Sequence, residues 1–344
     1  MKRRSLVTGG AGFLGSHLVD RLIADGDAVT VLDDFSTGRR ENLAEVAASP
    51  RLRVVEGSVL DRAAVELAMS GCNRVFHLAV QCVRRSLSRP LENHEINATG
   101  TLVVLEQARR QRVSRFLYCS SSEVYGNCGG VRLAEETTIC APTTVYGAAK
   151  LAGEYYTQAY QRTYELPATI VRPFNSYGPR AHHQGDLAEV IPRFVIRALN
   201  GKPPIIFGNG SNGRDFTYVT ETVRGIALAA DSEAALGRNL NIAFGTIVTV
   251  ERIAEIICAL TGHPELAPRY VDARPGDVHV LQADTRLARQ LIGFSAEIDV
   301  ERGLERYLDW FRACHPKPEL VLEAGAKNWE MPEEAPAAAR AAAF

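Results

Sequence analysis

Ser5-Leu-Val-Thr8-Gly9-Gly-Ala-Gly12-Phe13-Leu14-Gly15-Ser-His17 decides the fold. An apolar run enters a glycine turn, and Leu18, Val19, Leu22 and Ile23 follow at helical spacing. Strand, glycine turn and helix in this order turn backbone N–H groups and a helix N-terminus toward a pyrophosphate. The glycines are spaced G-x-x-G-x-x-G rather than in the commoner G-x-G-x-x-G. The next β-rich run, 28–32, ends in Asp33-Asp34. A carboxylate at the end of a second strand accepts the ribose hydroxyls of an adenosine and repels a 2′-phosphate, which favours NAD over NADP. Arg39 and Arg40 just beyond it would weaken that preference if they faced the ribose; a solvated loop is the expected place for them.

Moving outward, a third β-rich run at 52–55 leads to Gly57-Ser58-Val59. A fourth at 75–79 ends in His77-Leu78-Ala79, and a fifth at 115–120 ends in Ser121-Ser122-Glu123-Val-Tyr-Gly126. Helical stretches at 62–69 and 100–111 alternate with them. That alternation predicts an α/β fold with a doubly wound parallel sheet, in which ligand groups gather at the carboxyl ends of the strands. Tyr146-Gly-Ala-Ala-Lys150 opens a further helical stretch. Residues four apart share a helix face, so a phenol and an ammonium sit side by side, and the cation is expected to lower the phenol pKa. Ser121, Glu123, Tyr146 and Lys150 are expected to face one crevice.

Composition narrows the partners. A chain of 344 residues has room for two domains or one large α/β unit with additions. A net charge of -1 gives no general pull toward nucleic acid or membrane, and no apolar run reaches the length of a membrane span. The basic start, Met1-Lys-Arg-Arg, lacks the longer apolar region of a secretion signal. The seven cysteines are odd in number, scattered and form no C-x-x-C pair, which suits free thiols in a reducing cytoplasm and argues against a disulfide framework or a zinc site; no metal site is expected.

From 175 onward the strands thin out and arginines recur in loops at Arg180, Arg193, Arg214 and Arg274. Arginine forks suit phosphate. The expected division is a Rossmann domain over 1–178, with segments near 215–247 returning to it. A smaller mixed α/β substrate domain covers 179–322, with a final amphipathic helix at 300–311. A loosely ordered tail, rich in Ala, Glu and Pro, covers 323–344.

Together these stretches resemble the extended short-chain dehydrogenase/reductases of the nucleotide-sugar epimerase/dehydratase family, from about Ser5 to about Trp310. The resemblance also rests on Asn97-Ala-Thr-Gly-Thr, Arg172-Pro-Phe-Asn175-Ser-Tyr-Gly-Pro-Arg180, Arg214-Asp-Phe-Thr-Tyr-Val219 and Arg274-Pro-Gly-Asp277. It implies NAD as cofactor, held by Gly9, Gly12, Phe13, Leu14, Gly15, Asp33, Ser58, Val59, Leu78, Ala79, Asn97, Tyr146 and Lys150. Ser58 stands where the family usually has an Asp on the adenine amino group, so weaker NAD binding is expected. It implies a nucleotide-sugar substrate, UDP-linked on family frequency, held by Arg84, Ser122, Asn175, Arg193, Arg214, Arg274 and, at the ribose, Asp277. A homodimer is implied by the same resemblance.

The resemblance further implies that Tyr146, as phenolate, takes the proton of a sugar hydroxyl while hydride leaves C4 for the nicotinamide. Lys150 would hold the nicotinamide ribose, and Ser121 would bond the same sugar oxygen. The fate of the 4-keto sugar stays open between three reactions. Glu123 is placed to take the C5 proton in a dehydration, and Ser-Ser-Glu-Val-Tyr-Gly resembles GDP-mannose-type dehydratases and UDP-glucuronate decarboxylases. Ser122 replaces the Asp of dTDP-glucose-type dehydratases. Val83-Arg84-Arg-Ser86 resembles UDP-glucuronate 4-epimerases, in which an arginine lies near the acidic sugar. Dehydration is placed slightly ahead of 4-epimerisation of UDP-glucose or UDP-glucuronate, with decarboxylation third. A non-catalytic NAD-binding scaffold predicts loss of the Tyr/Lys pair, which is intact.

Overall fold

The computed structural model describes residues 3–323, 325 and 327–331. Seven parallel strands form the central sheet: β1 (Arg4–Thr8), β2 (Ala28–Asp33), β3 (Leu52–Glu56), β4 (Arg74–His77), β5 (Arg115–Cys119), β6 (Ala168–Pro173) and β7 (Asn239–Ile242). Their order is β3-β2-β1-β4-β5-β6-β7. This is the doubly wound sheet that the strand–helix alternation predicts. Neighbouring Leu6 and Val7 point to opposite faces and are both fully buried, as helices on each side require. Edge strand β3 instead exposes Arg53, Val54 and Glu56, and its polar side chains discourage further pairing.

Register brings the chemistry to one rim. Thr8 is level with Leu32 on one side and His77 on the other, and Cys119 is level with Val171. The chain leaves β1 for β2, while β4 lies on the opposite side of β1. That reversal opens a crevice at the carboxyl ends of the strands. Thr8 Oγ1 bonds His77 Nδ1 at 2.7 Å and accepts the N–H groups of Leu78 and Ala79 at 3.2 Å each. Burial holds the His77 pKa down to about 3, so the imidazole is a neutral strut across the switch point.

The Phe13–Ala24 helix buries Leu18, Val19, Leu22 and Ile23 against the sheet. Its first turn sits on the glycine loop so closely that a Cβ at Gly15 would lie 2.0 Å from the Gly9 carbonyl oxygen. Gly15→Ala must therefore lift the helix from the loop that faces the pyrophosphate. We expect the variant to purify without NAD; a normal NAD content measured after denaturation would show that the loop tolerates the shift.

The second half has its own core. The helices Val190–Leu199, Val250–Leu260 and Val300–Cys314 pack around Phe194, Ile257, Tyr307 and Phe311. A small sheet lies between the halves, in the order Ile247–Thr249, Gly213–Asp215, Val280–Ala283, Arg132–Leu133. Arg132–Leu133 thus joins the later strands, while β7 returns to the large sheet. No helix among the described residues is long and apolar enough to cross a membrane.

Much of the 323–344 tail lies outside the described residues. Its described part departs from the loose packing expected there: Trp329 is 8% exposed and meets Phe207 edge-on, with ring centroids 4.4 Å apart. A lone tryptophan among Ala, Glu and Pro leaves no periodicity to read.

Candidate active site

The Val145–Tyr164 helix begins at a cap, where Thr144 Oγ1 accepts the Gly147 N–H at 3.1 Å. Gly147 lies against the turn after β5; a Cβ there would be 2.7 Å from the Glu123 carbonyl oxygen. The missing side chain lets the helix start rest on the Ser121–Glu123 turn and brings Tyr146 beside Glu123. Tyr146, Lys150 and Glu154 follow at intervals of four along one helix face. Glu154, 1% exposed, takes a two-pronged ion pair from Arg172, with Nε–Oε1 at 2.8 Å and Nη2–Oε2 at 2.6 Å. It also accepts the Ser120 hydroxyl at 2.5 Å. The fork pins the helix to β6 and fixes the residue before Ser121.

Electrostatics at the pair differ from the sequence expectation. Lys150 is 3% exposed and its Nζ donates to the Cys119 carbonyl at 2.8 Å. Burial lowers its pKa to about 8, so the cation is itself weakened. Burial pushes the Tyr146 phenol well up; the Ser121 hydroxyl favours the phenolate, and the Glu123 charge opposes it. The expected lowering by Lys150 does not appear: desolvation raises the phenol, and Lys150, turned to the Cys119 carbonyl, is not among the main charges acting on it. Burial also raises the Glu123 pKa, against the pull of Arg214 and Arg274. Among the described residues nothing bonds or pairs with the Glu123 carboxylate, which faces the cavity.

The crevice holds about 510 Å³. Its floor carries Gly9, Gly12, Phe13, Leu14, Gly15, Asp33, Val59, Leu78 and Ala79. Asp33 Oδ2 accepts the Ala11 N–H at 2.8 Å and Oδ1 the Phe35 N–H at 2.9 Å, so the carboxylate is fixed at the end of β2. A glycine cradle, a helix N-terminus and a rim carboxylate fit an adenine dinucleotide without a 2′-phosphate. Ser121, Ser122, Glu123, Tyr146 and Lys150 line the middle. Arg84, Asn175, Arg193, Arg214, Arg274 and Asp277 line the other end. Asn175 Oδ1 is buried there with no partner among the described residues.

Four residues sit otherwise than the sequence suggests. Ser58 does not line the cavity; its hydroxyl accepts the Leu60 N–H at 3.2 Å within its own turn. Asn97 is buried behind the wall, bonding the Gln81 N–H and carbonyl at 3.0 Å each, and so braces the 79–82 loop from outside. Asp277 does not offer a free carboxylate to a ribose. Its Oδ1 accepts Arg214 at 2.9 Å and Arg274 at 2.8 Å, while its Oδ2 accepts Asn212 at 3.0 Å. Two guanidiniums thus share one carboxylate, leaving a net positive cluster aimed at the cavity. Arg84 is engaged by the Asp186 carbonyl at 2.7 Å and by the Leu187 carbonyl. Sequence reading passed over Gln81, Cys82, Phe207 and Asn328, all of which line the cavity. Gln81 and Cys82 follow the fourth strand and were legible by position; Phe207 and Asn328 carry no local signal.

The NAD dependent epimerase/dehydratase family matches residues 5–243. The UDP-glucose 4-epimerase of Mycolicibacterium smegmatis is 34% identical over 312 residues, which are 90% of this chain and 98% of that protein. The crystal structure of UDP-glucose 4-epimerase from Thermotoga maritima, with UDP-glucose, superposes with a TM-score of 0.85 at 35% identity, covering 90% of this chain and 99% of that one. A dTDP-glucose 4,6-dehydratase from Streptomyces venezuelae, solved with NAD bound, gives 0.86 at 32% identity, covering 92% and 99%. With the glycine cradle, the rim carboxylate and the Tyr146/Lys150 helix in place, this chain belongs to the NAD dependent epimerase/dehydratase family and takes NAD as its cofactor.

Proposed function

We propose that the protein oxidises C4 of a UDP-linked hexose and then eliminates water across C5 and C6, as a 4,6-dehydratase. The observation that carries this reading is the Glu123 carboxylate. Among the described residues it has no hydrogen-bond or ion-pair partner, its pKa is raised by burial, and it lines the cavity beside Tyr146. NAD, when bound, supplies the hydride acceptor and donor, so the reaction is redox-neutral. Tyr146 takes the C4 hydroxyl proton, with Ser121 bonded to the same oxygen. The resulting ketone acidifies C5–H. Glu123 accepts that proton and passes it to the C6 hydroxyl, which leaves as water; return of the hydride to C6 and of a solvent-derived proton to C5 would complete the 4-keto-6-deoxy sugar. The Arg214–Asp277–Arg274 cluster neutralises the diphosphate.

A 4-epimerase is the second reading. The buried Ser122 supports it, because a hydroxyl cannot supply the second acid of a dTDP-glucose-type dehydratase. In that case the keto sugar turns over and takes hydride on its other face. Arg84 gives little support to an acidic sugar, since backbone carbonyls engage it.

The test is a panel of UDP-glucose, UDP-N-acetylglucosamine, UDP-glucuronate, GDP-mannose and dTDP-glucose in heavy water, with products weighed by mass spectrometry. One UDP-hexose is expected to lose the mass of one water and to take up solvent deuterium. A product of unchanged mass without label would establish epimerisation instead, and loss of carbon dioxide from UDP-glucuronate alone would establish decarboxylation.

A further inference from the structure

The segment after the Val300–Cys314 helix turns back onto the far end of the crevice. Asn328 lines the cavity and its Nδ2 donates to the Ala188 carbonyl at 2.6 Å. Trp329 packs edge-on against Phe207, whose ring also lines the cavity. The Arg193 guanidinium covers Phe207 at 5.5 Å from the ring centroid, and its Nη2 reaches the Gly325 carbonyl at 3.4 Å. The Gly185 N–H donates to Glu323 Oε1 at 2.6 Å. From the opposite side, Arg84 and Arg85 hold Asp186, the latter through an ion pair at 2.8 Å. The 185–188 loop is therefore clamped between the first half of the chain and its C-terminal segment.

Ala188, Ile191, Ile206 and Phe207 give this end of the cavity apolar walls, with the Asn328 amide among them and the Arg214/Arg274 cluster also lining it. Apolar walls suit a flat ring. An amide whose N–H is partly engaged still offers an acceptor and a second donor to a ring edge. We infer that the described residues of the C-terminal segment, Glu323, Gly325 and 327–329, complete the nucleobase pocket: Asn328 meets the polar edge of the base, and Trp329 holds Phe207 as one wall. This rests on the nucleoside-diphosphate reading of the site above. It concerns a part of the chain beyond the family resemblance, which ends near Trp310. The match to the M. smegmatis relative likewise spans 98% of that protein but only 90% of this chain. Specificity for the base is thus set in part by residues outside the shared catalytic body.

The experiment uses the full chain. UDP binding is measured by calorimetry for the native protein and for Asn328→Ala, Trp329→Ala and Trp329→Phe, with NAD content and melting temperature recorded for each. Asn328→Ala and Trp329→Ala are expected to weaken UDP by about tenfold, the scale of one lost hydrogen bond to a ligand. NAD content is expected to stay unchanged in both; melting temperature is expected to hold in Asn328→Ala and to fall in Trp329→Ala, which empties a packed site, with Trp329→Phe close to native. In turnover the same loss should appear in KM and not in kcat. Native UDP affinity in Asn328→Ala and Trp329→Ala overturns the inference. So does a loss of UDP binding accompanied by loss of NAD, which would make the segment a structural brace only. If the native protein binds none of UDP, dTDP or GDP, the nucleoside-diphosphate reading itself falls, and this inference with it.

Discussion

Tyr146→Phe is expected to lower turnover by about 10²–10⁴-fold, the usual contribution of a positioned acid or base. UDP affinity should stay near native, because the ring remains and only the hydroxyl is removed. The geometry makes the effect specific. Tyr146 stands one residue inside the helix start, and Gly147 lets that start lie against the Glu123 turn. Burial disfavours the phenolate, and a hydrogen bond from the Ser121 hydroxyl favours it. Phe keeps the packing and leaves no atom to accept the sugar proton, so hydride cannot leave C4 and no NADH band should form on mixing with substrate. Single-turnover absorbance separates this from a binding defect. Turnover within a few-fold of native would remove Tyr146 from the chemistry.

Glu123→Gln should behave differently. Its first step is intact, so a dehydratase would stop at the oxidised sugar with NADH visible in the enzyme, and overall turnover should drop by about 10²–10⁴-fold. The pH dependence has a defined sign. The folded pKa of Glu123 is raised by burial, so the carboxyl holds its proton to a higher pH than an ordinary glutamate. It must be ionised to accept the C5 proton. Dehydration should therefore fall as pH falls through that raised pKa, and this acid limb should vanish in the partial reaction of the Gln variant. A nearly active Glu123→Gln enzyme whose product is an unlabelled C4 epimer would reject the dehydratase reading, while leaving the fold, NAD and the Tyr146 chemistry in place.

Several site residues that line the crevice were legible because their signal is local. Gly9, Gly12 and Gly15 sit in a turn between an apolar run and a helical period, and Asp33 ends the next strand. Tyr146 and Lys150 share a face because helices repeat near every four residues. The residues that moved from their expected roles did so for one reason. Ser58, Asn97, Arg84 and Asp277 are polar side chains whose partners are chosen by whatever the fold brings within reach. Asp277 sits three residues from Arg274 and was legible as a neighbour. That Arg214, 63 residues away, converges on the same oxygen was not.

By itself, then, the sequence determined the first five strands and the helices between them, the parallel sheet, the glycine turn after the first strand and the Tyr146–Lys150 face. All of these follow from periodicity and turn chemistry within a few residues. Only the tertiary structure decided the electrostatics of the pair, because desolvation depends on everything packed around a group and not on its neighbour four residues away. It alone placed Arg132–Leu133 in a sheet with Val280–Ala283, and Trp329 on Phe207. Those contacts join segments more than a hundred residues apart, where no repeat in the chain records which partner burial will select.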